Sequence, residues 1–179
     1  DYDLDGRLDL VVANGHVHPR AGELESGVAF EQPCLLFRGA ESAFVDVTGS
    51  VGGDLGAPRN HRGLATGDLN QDGAVDLVVT TLDAPPVVLF NEVDTAAPRR
   101  NAIGFVLRGT RSNSEGIGAR IEIETATGGQ SAEVSRGGSY LSSSDAQVVF
   151  GLGAEKGVRN VRIVWPSGTE QELGALEAG

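Results

Sequence analysis

The spacing of apolar and polar positions changes near residue 100. Before that point, short apolar runs are separated by long stretches rich in glycine, proline and acidic residues. Such runs, bounded by turn-forming residues, predict short strands. The predicted strands are Leu10-Val11-Val12, Cys34 to Arg38, Ala43 to Val47, Gly63 to Gly67, Val75 to Thr80, which contains Leu77-Val78-Val79, and Val87 to Asn91. We expect these to form one complete four-stranded propeller blade and part of a neighbour, with surface loops at Gly15 to Pro33 and Thr48 to Asn60.

Beyond residue 100, apolar and polar residues alternate along several short segments. Ile103, Phe105 and Leu107 fall on one face of a strand, and Ile121 and Ile123 alternate with charged residues. This pattern is typical of half-buried antiparallel strands. Further strands are predicted at Gln130 to Ser135, Gln147 to Phe150, Val158 to Trp165 and Thr169 to Leu173, with hairpin turns at Thr127-Gly128-Gly129 and Pro166-Ser167-Gly168. The sequence therefore predicts a compact antiparallel β-sandwich or barrel-like domain.

The two patterns are separated by a segment that has no strand periodicity and that carries charge, proline and small residues. We expect a domain boundary there. The predicted organisation is an all-β chain with partial β-propeller blades over residues 1–91, a linker over 92–100 and a small β-domain over 101–179.

Each of the runs Leu10-Val11-Val12 and Leu77-Val78-Val79 follows an acidic nine-residue pattern. The first is Asp1-x-Asp3-x-Asp5-Gly6-x-x-Asp9, and the second starts 67 residues later. Oxygen ligands at positions 1, 3, 5 and 9, with the carbonyl of position 7, suit a calcium ion, which accepts six to eight oxygens in loose geometry. The predicted ligands are Asp1, Asp3, Asp5, the Arg7 carbonyl and Asp9 in one loop, and Asp68, Asn70, Asp72, the Ala74 carbonyl and Asp76 in the other.

Two other interpretations of these loops are weaker. An EF-hand requires a glutamate at position 12, where this chain has Val12 and Val79. A pair of acidic turns without an ion would leave several carboxylates repelling one another. The sequence therefore predicts two Ca²⁺ sites as the only cofactor, and Asn70 makes the second site the weaker one by charge.

The charge and the composition exclude further classes of function. The net charge of −11 argues against binding to nucleic acids or anionic membrane surfaces, since both attract basic patches. The single cysteine, Cys34, cannot form an intrachain disulfide and is expected to be a small buried hydrophobic residue. No apolar run reaches transmembrane length, so no membrane insertion is expected. Because residue 1 is already a predicted ligand, the chain looks cut from something longer.

Four other features have ordinary structural explanations. His16 and His18 suggest zinc only if a third ligand joins them, so we favour a surface loop. His61 is expected to be an exposed residue before a strand. Gly151-Leu152-Gly153 lacks the strand–helix context of a phosphate loop and is predicted to be a tight turn. Trp165 continues the alternation of Val161 and Ile163, which favours a core position over sugar stacking. No serine lies in a nucleophile elbow, so no catalytic residue and no enzyme activity are predicted.

Both halves of the sequence resemble known families. The segments from Asp1 to Val17 and from Arg62 to Gly73 resemble FG-GAP repeats of the VCBS type. Four later motifs resemble, in order, the ASPIC/UnbV domain: Ser112 to Arg120, Gly137-Gly138-Ser139-Tyr140-Leu141-Ser142, Phe150-Gly151-Leu152-Gly153 and Val164-Trp165-Pro166-Ser167-Gly168. Together they are similar to the C-terminal part of the cartilage acidic protein 1-like family.

This resemblance implies a calcium-binding protein that is secreted or associated with the cell envelope. We expect a noncatalytic interaction or adhesion module whose partner is an extracellular protein or glycan. The alternative is an accessory C-terminal region of a secreted enzyme whose catalytic part lies outside this sequence. Two repeats are too few to close a propeller, which needs at least four blades.

Overall fold

The computed structural model describes residues 1–24, 27–82, 84–93 and 100–179. It is nearly all β, which confirms the predicted fold class. The strands are β1 Leu10–Val12, β2 Leu35–Gly39, β3 Phe44–Asp46, β4 His61–Gly67, β5 Asp76–Thr81, β6 Ala84–Leu89, β7 Asn101–Phe105, β8 Arg120–Glu124, β9 Gly129–Glu133, β10 Val148–Gly153, β11 Gly157–Val158, β12 Asn160–Val164, β13 Glu170–Glu172 and β14 Leu176–Glu177. A four-residue helix, Ala21–Leu24, and a 3₁₀ turn, Thr48–Ser50, lie in the two predicted loops.

The first half of the chain forms two antiparallel three-stranded sheets, ordered β1-β2-β3 and β4-β5-β6. The expectation of one four-stranded blade plus part of another is therefore wrong. After β3 the chain enters the 3₁₀ turn and an irregular stretch that continues to Asn60, so β3 does not join β4. The strands themselves lie within a few residues of their predicted positions.

The two sheets share a core of apolar side chains. The buried members are Cys34, Leu36, Leu55, Leu64 and Val79. Cross-strand pairing places Val11 opposite Leu36 and Leu64 opposite Val79, so each pair projects from one face of its sheet. Cys34 is 1% exposed, as expected of a small hydrophobic residue, and burial raises the pKa of its thiol.

A second core lies in the other half of the chain. A four-stranded sheet, β13-β12-β8-β9, presents fully buried Ile121, Ile123 and Val161, and Phe105 of β7 meets Phe150 of β10 edge to face with ring centroids 5.9 Å apart. The alternation along β8 and β12 therefore predicted the core face correctly. Trp165 is partly buried against this core, as expected, and its indole nitrogen donates to Gln171 at 3.3 Å.

Some expectations about this half were incomplete or wrong. Both predicted hairpin turns connect the expected strands, but the short β11–β14 pair was not predicted. No sheet closes into a barrel within the described residues. Gly151-Leu152-Gly153 is not a tight turn: it ends β10, where the pairing with β7 shifts register, and Leu152 is buried in the core.

The predicted boundary stays a prediction, because residues 94–99 of the linker lie outside the described part of the chain. The two core clusters draw on separate stretches, one between residues 2 and 89 and the other between 103 and 178. We call these stretches the repeat region and the C-terminal module. Of the helices in the described residues, none is long and apolar enough to span a membrane.

Candidate metal centre

The two acidic loops have the same backbone hydrogen-bond scheme. In each, the position 1 carboxylate accepts from the amides of positions 5 and 6, at 3.0 and 2.8 Å for Asp1 and at 3.1 and 3.0 Å for Asp68. The position 5 carboxylate accepts from the amide of position 7, at 2.9 Å in both. Since 67 residues separate the loops, this agreement follows from their shared sequence pattern.

The last carboxylate of each loop ties the loop to a sheet. Asp9 accepts from the amides of Tyr2 and Gly39, both at 2.7 Å. Asp76 accepts from those of Leu69 and Asn91, both at 2.8 Å. The first loop leads into β1 and the second into β5. Gly39 ends β2 and Asn91 follows β6, so the carboxylate at position 9 ties each loop to the neighbouring strand of the same sheet.

The backbone of both loops is left-handed at the same two positions. Glycine at position 6 has φ of +88° in Gly6 and +87° in Gly73. Position 4 is also left-handed, with φ of +55° at Leu4 and +62° at Gln71, although neither residue is glycine. Left-handed non-glycine residues persist where surrounding contacts determine the conformation. Both loops are therefore held in one defined fold.

The first loop brings three of its five predicted ligands together. Asp1, Asp3 and Asp9 each offer a carboxylate oxygen, and these oxygens lie within 4.8 Å of one another. In the part of the chain that the structure describes, no other group of three acidic, histidine or cysteine residues meets that spacing. Three clustered carboxylates repel one another in the absence of a cation, so the arrangement favours a divalent ion.

Asp3 gives the clearest evidence of fit. Its Oδ1 is buried and has no hydrogen-bond partner among the described residues. A buried carboxylate oxygen without a partner is costly, and a metal ion would satisfy it. Its Oδ2 lies 2.8 Å from Nη1 of Arg100, which also donates to the Asp3 carbonyl. The residues present therefore fit a hard cation at this loop, with Arg100 already balancing part of the charge.

Asp5, another predicted ligand of the first loop, is turned toward Arg7. Asp5 accepts from the Arg7 amide, and its Oδ2 lies 3.4 Å from the Arg7 guanidinium. Asp5 does not belong to the close group of carboxylates. The Arg7 side chain is 51% exposed, so this ion pair is weak and easily exchanged.

The predicted ligands of the second loop are less closely gathered than those of the first. Asp76 is completely buried and Asp68 is half-buried, but Asn70 and Asp72 are exposed. The Asn70 amide donates to Asp72 at 2.8 Å and thus occupies one of its carboxylate oxygens. Ala74, whose carbonyl is a predicted ligand, is 2% exposed. The loop has the shape of the first but a lower density of charge.

The three clustered carboxylates of the first loop lie at a cleft of about 1240 Å³. Asp1, Asp3 and Asp9 line it together with Arg100 and apolar side chains of both sheets, including Leu36, Leu77 and Leu89. Burial and the nearby Asp3 carboxylate raise the pKa of Tyr2, another residue of the wall. A cation bound here would lie beside a half-apolar cleft.

The histidines form no comparable site. His18 donates its backbone amide to His16 Nδ1 at 3.0 Å, and the Arg20 amide donates to His18 Nδ1 at 3.2 Å. His61 was expected to be exposed but is 3% exposed, with its Nδ1 near the carbonyls of Asn14 and Gln32. It is a hydrogen-bonded core residue, because β4 begins at His61 rather than after it.

Sequence reasoning missed two partners of the first loop. Arg100 lies in the predicted linker, where nothing in the local pattern points to Asp3. Gly151 lies in the C-terminal module, where a Cβ would fall 2.0 Å from Asp1 Oδ2. The only available signal was the Phe150-Gly151-Leu152-Gly153 motif, whose glycines we interpreted as a turn.

The comparison with known families concerns the second half of the chain. The family model described as ASPIC and UnbV matches residues 109–179. This part of the chain is therefore an ASPIC/UnbV domain, in agreement with the motifs that suggested it. No curated protein matches the chain.

Proposed function

We propose that this protein is a noncatalytic, calcium-binding extracellular interaction module: FG-GAP repeats followed by an ASPIC/UnbV domain, as in the cartilage acidic protein 1-like family. The observation that carries the proposal is the first loop, where Asp1, Asp3 and Asp9 converge and a buried Asp3 oxygen has no partner among the described residues. The repetition of one hydrogen-bond scheme in two loops further supports it.

In this proposal the ion has a structural role. The side chains that would hold it are Asp1, Asp3, Asp5 and Asp9 in the first loop, and Asp68, Asn70, Asp72 and Asp76 in the second. The ion would offset repulsion between carboxylates that the folded loop brings together. Because the unfolded chain offers no preformed site, the free energy of binding adds to that of folding.

The net charge of −11 is compatible with an extracellular setting, where calcium is abundant. Two bound ions would cancel four negative charges and leave the surface acidic. The partner we propose is an extracellular protein or glycan, and secretion or attachment to the cell envelope follows from the same assignment. Binding of candidate partners to the calcium-loaded chain, by pull-down or glycan array, tests this part.

Calorimetric titration with calcium tests the metal assignment. We expect binding with a Kd of about 10⁻³ to 10⁻⁴ M or tighter, as in other extracellular modules. At 100 times the Kd, bound calcium should add about 2.7 kcal/mol to the free energy of unfolding. For a chain of this size, that corresponds to a rise in Tm of roughly 5–10 °C.

Two controls make the titration specific. Magnesium should give a smaller effect, since it dehydrates reluctantly and prefers stricter geometry. The double variant Asp3→Ala/Asp5→Ala should lose the tighter of the two binding events. No heat of binding, together with an unchanged Tm on adding a chelator, would refute the proposal.

A further inference from the structure

The C-terminal module contacts the first acidic loop directly, at the end of β10. The Gly153 amide donates to the Leu4 carbonyl at 2.9 Å. Leu4 is the left-handed residue at loop position 4 and is only 4% exposed, whereas Gln71, its counterpart in the second loop, is exposed. The strained residue of the first loop is thus covered and hydrogen-bonded by another part of the chain.

Gly151 lies against the loop without space for a side chain. A Cβ at this position would be 2.0 Å from Asp1 Oδ2 and 2.6 Å from the backbone of Leu4. Real Cβ atoms essentially never come closer than 3.0 Å to a neighbour, and the Leu4 backbone cannot rotate away. Any residue other than glycine at 151 must therefore displace the carboxylate of Asp1 or separate the module from the loop.

Gln130 completes the contact from the neighbouring sheet. Its side-chain amide donates to the Gly151 carbonyl at 2.8 Å, and a Cβ on Gly6 would lie 3.0 Å from the same nitrogen. Loop positions 1, 4 and 6 therefore all meet the module. In the second loop, a Cβ on Gly73 would meet nothing within 4 Å.

The alternation of faces along β10 explains how one strand serves both the core and the loop. Leu152 enters the apolar core while Gly151 and Gly153 on either side face the loop. The Phe150-Gly151-Leu152-Gly153 motif lies within the residues that match the ASPIC and UnbV family. Its glycines are therefore accounted for by this contact rather than by a turn.

We infer that the Gly151–Gly153 segment is a positioning element for the first acidic loop, which sets the place of the Asp1 carboxylate and couples metal binding in that loop to docking of the C-terminal module. The metal part of this inference rests on the function proposed above. The docking part does not, because it rests on contacts of Gly151 and Gly153 with Asp1 and the Leu4 backbone, none of which involves an ion.

The test uses the full chain in two backgrounds that isolate one loop each. Asn70→Ala/Asp72→Ala silences the second loop, and Asp3→Ala/Asp5→Ala silences the first at the same two positions. Gly151→Ala is added to each background. Gly128→Ala is the matched control, because it lies in the same module and a Cβ there meets nothing within 4 Å.

We expect Gly151→Ala to weaken calcium binding at least tenfold when only the first loop is intact, and less than twofold when only the second is intact. Gly128→Ala should change either value less than twofold. If Gly151→Ala is poorly folded by circular dichroism, Gln130→Ala replaces it, with an expected loss of about threefold confined to the first loop. Equal effects in both backgrounds would overturn the inference.

Hydrogen exchange of backbone amides, measured in chelator, tests whether the C-terminal module docks on the first loop independently of calcium. The Gly153 amide should exchange slowly in the wild type and at least tenfold faster in Gly151→Ala, while Gly128→Ala leaves it unchanged. If neither background binds calcium but Gly153 behaves in this way, the docking stands and the metal assignment fails. If protection of Gly153 is unchanged by Gly151→Ala, the inference is wrong even if calcium binds.

Discussion

Asp3 has two different environments at its two carboxylate oxygens. One oxygen is buried without a partner among the described residues, and the other lies 2.8 Å from the Arg100 guanidinium. The guanidinium supplies positive charge where a cation is expected, but it reaches only one side of the carboxylate. We therefore interpret Arg100 as a partial counter-ion that stabilises the loop when no metal is bound.

Replacing Arg100 with glutamine separates these roles. The guanidinium repels a nearby divalent ion, but the Arg100 side chain is 38% exposed, so water screens much of that repulsion. Arg100→Gln should therefore tighten calcium binding in the first loop by about three- to tenfold, which corresponds to roughly 1 kcal/mol. The same variant should lower the Tm measured in chelator. Calorimetry and thermal melting measure the two effects.

Arg7→Gln is the matched control for Arg100→Gln. The Arg7 guanidinium lies farther from its carboxylate partner, at 3.4 Å, and is half exposed, so its removal should change affinity much less. Weaker calcium binding in Arg100→Gln would show instead that Arg100 orients Asp3 for the ion, contrary to the counter-ion interpretation.

At the scale of elements, the two acidic loops are the same structure in different surroundings. Their shared pattern accounts for their shared hydrogen bonds, because most of these bonds join residues within the same nine-residue loop. Their surroundings differ: the first is covered by the C-terminal module, and the second is open at Gly73.

This difference predicts unequal effects of one substitution. Gly73→Ala should cost about 1–2 kcal/mol, the cost of a left-handed residue with a Cβ, since no atom obstructs the added group. Gly6→Ala carries the same backbone cost and also brings a Cβ to within 3.2 Å of the Gly151 carbonyl. Its destabilisation should be larger.

Urea unfolding of both variants in chelator measures this difference, without any contribution from metal. Equal losses in the free energy of unfolding for Gly6→Ala and Gly73→Ala would mean that the module does not constrain the first loop. A larger loss for Gly73→Ala would contradict the structure outright.

Sequence periodicity predicted some features of the strands and not others. Alternation located the buried face of β8, because burial on one face of a strand leaves a period of two in the sequence. It did not reveal that β3 and β4 belong to separate sheets. Which strands pair depends on the path of the chain between Asp46 and His61, and that path leaves no period in the sequence. The β11–β14 pair has two residues per strand, too few to show a period.

For the molecule as a whole, the repeat region and the C-terminal module are connected by several direct hydrogen bonds. Besides Gly153 and Leu4, the Thr66 amide donates to Ser144 Oγ at 3.1 Å, and the Asp145 amide donates to the Thr66 carbonyl at 2.9 Å. These pairs are far apart in sequence and carry no local pattern. Reasoning from sequence therefore predicted most of the strands and the shared pattern of the two loops, but not the contacts that join the two halves.

These contacts predict that calcium bound in the repeat region also stabilises the C-terminal module. Trp165 is the only tryptophan and packs against the module core, so its fluorescence reports unfolding of that module. We expect the midpoint of the fluorescence transition in urea to rise when calcium is added, and this rise to disappear in Asp3→Ala/Asp5→Ala.

The comparison signal is far-ultraviolet circular dichroism, which reports strands in both halves. Calcium should move both midpoints together. A shift in the dichroism midpoint with an unchanged Trp165 midpoint would mean that the two halves respond to calcium independently.

The most direct measurement is an anomalous difference map from a crystal of this chain grown with calcium. The account predicts a strong peak in the first loop, within roughly 2.3–2.6 Å of oxygens from Asp1, Asp3 and Asp9. Density consistent only with water at that position, in a crystal grown with abundant calcium, would contradict it.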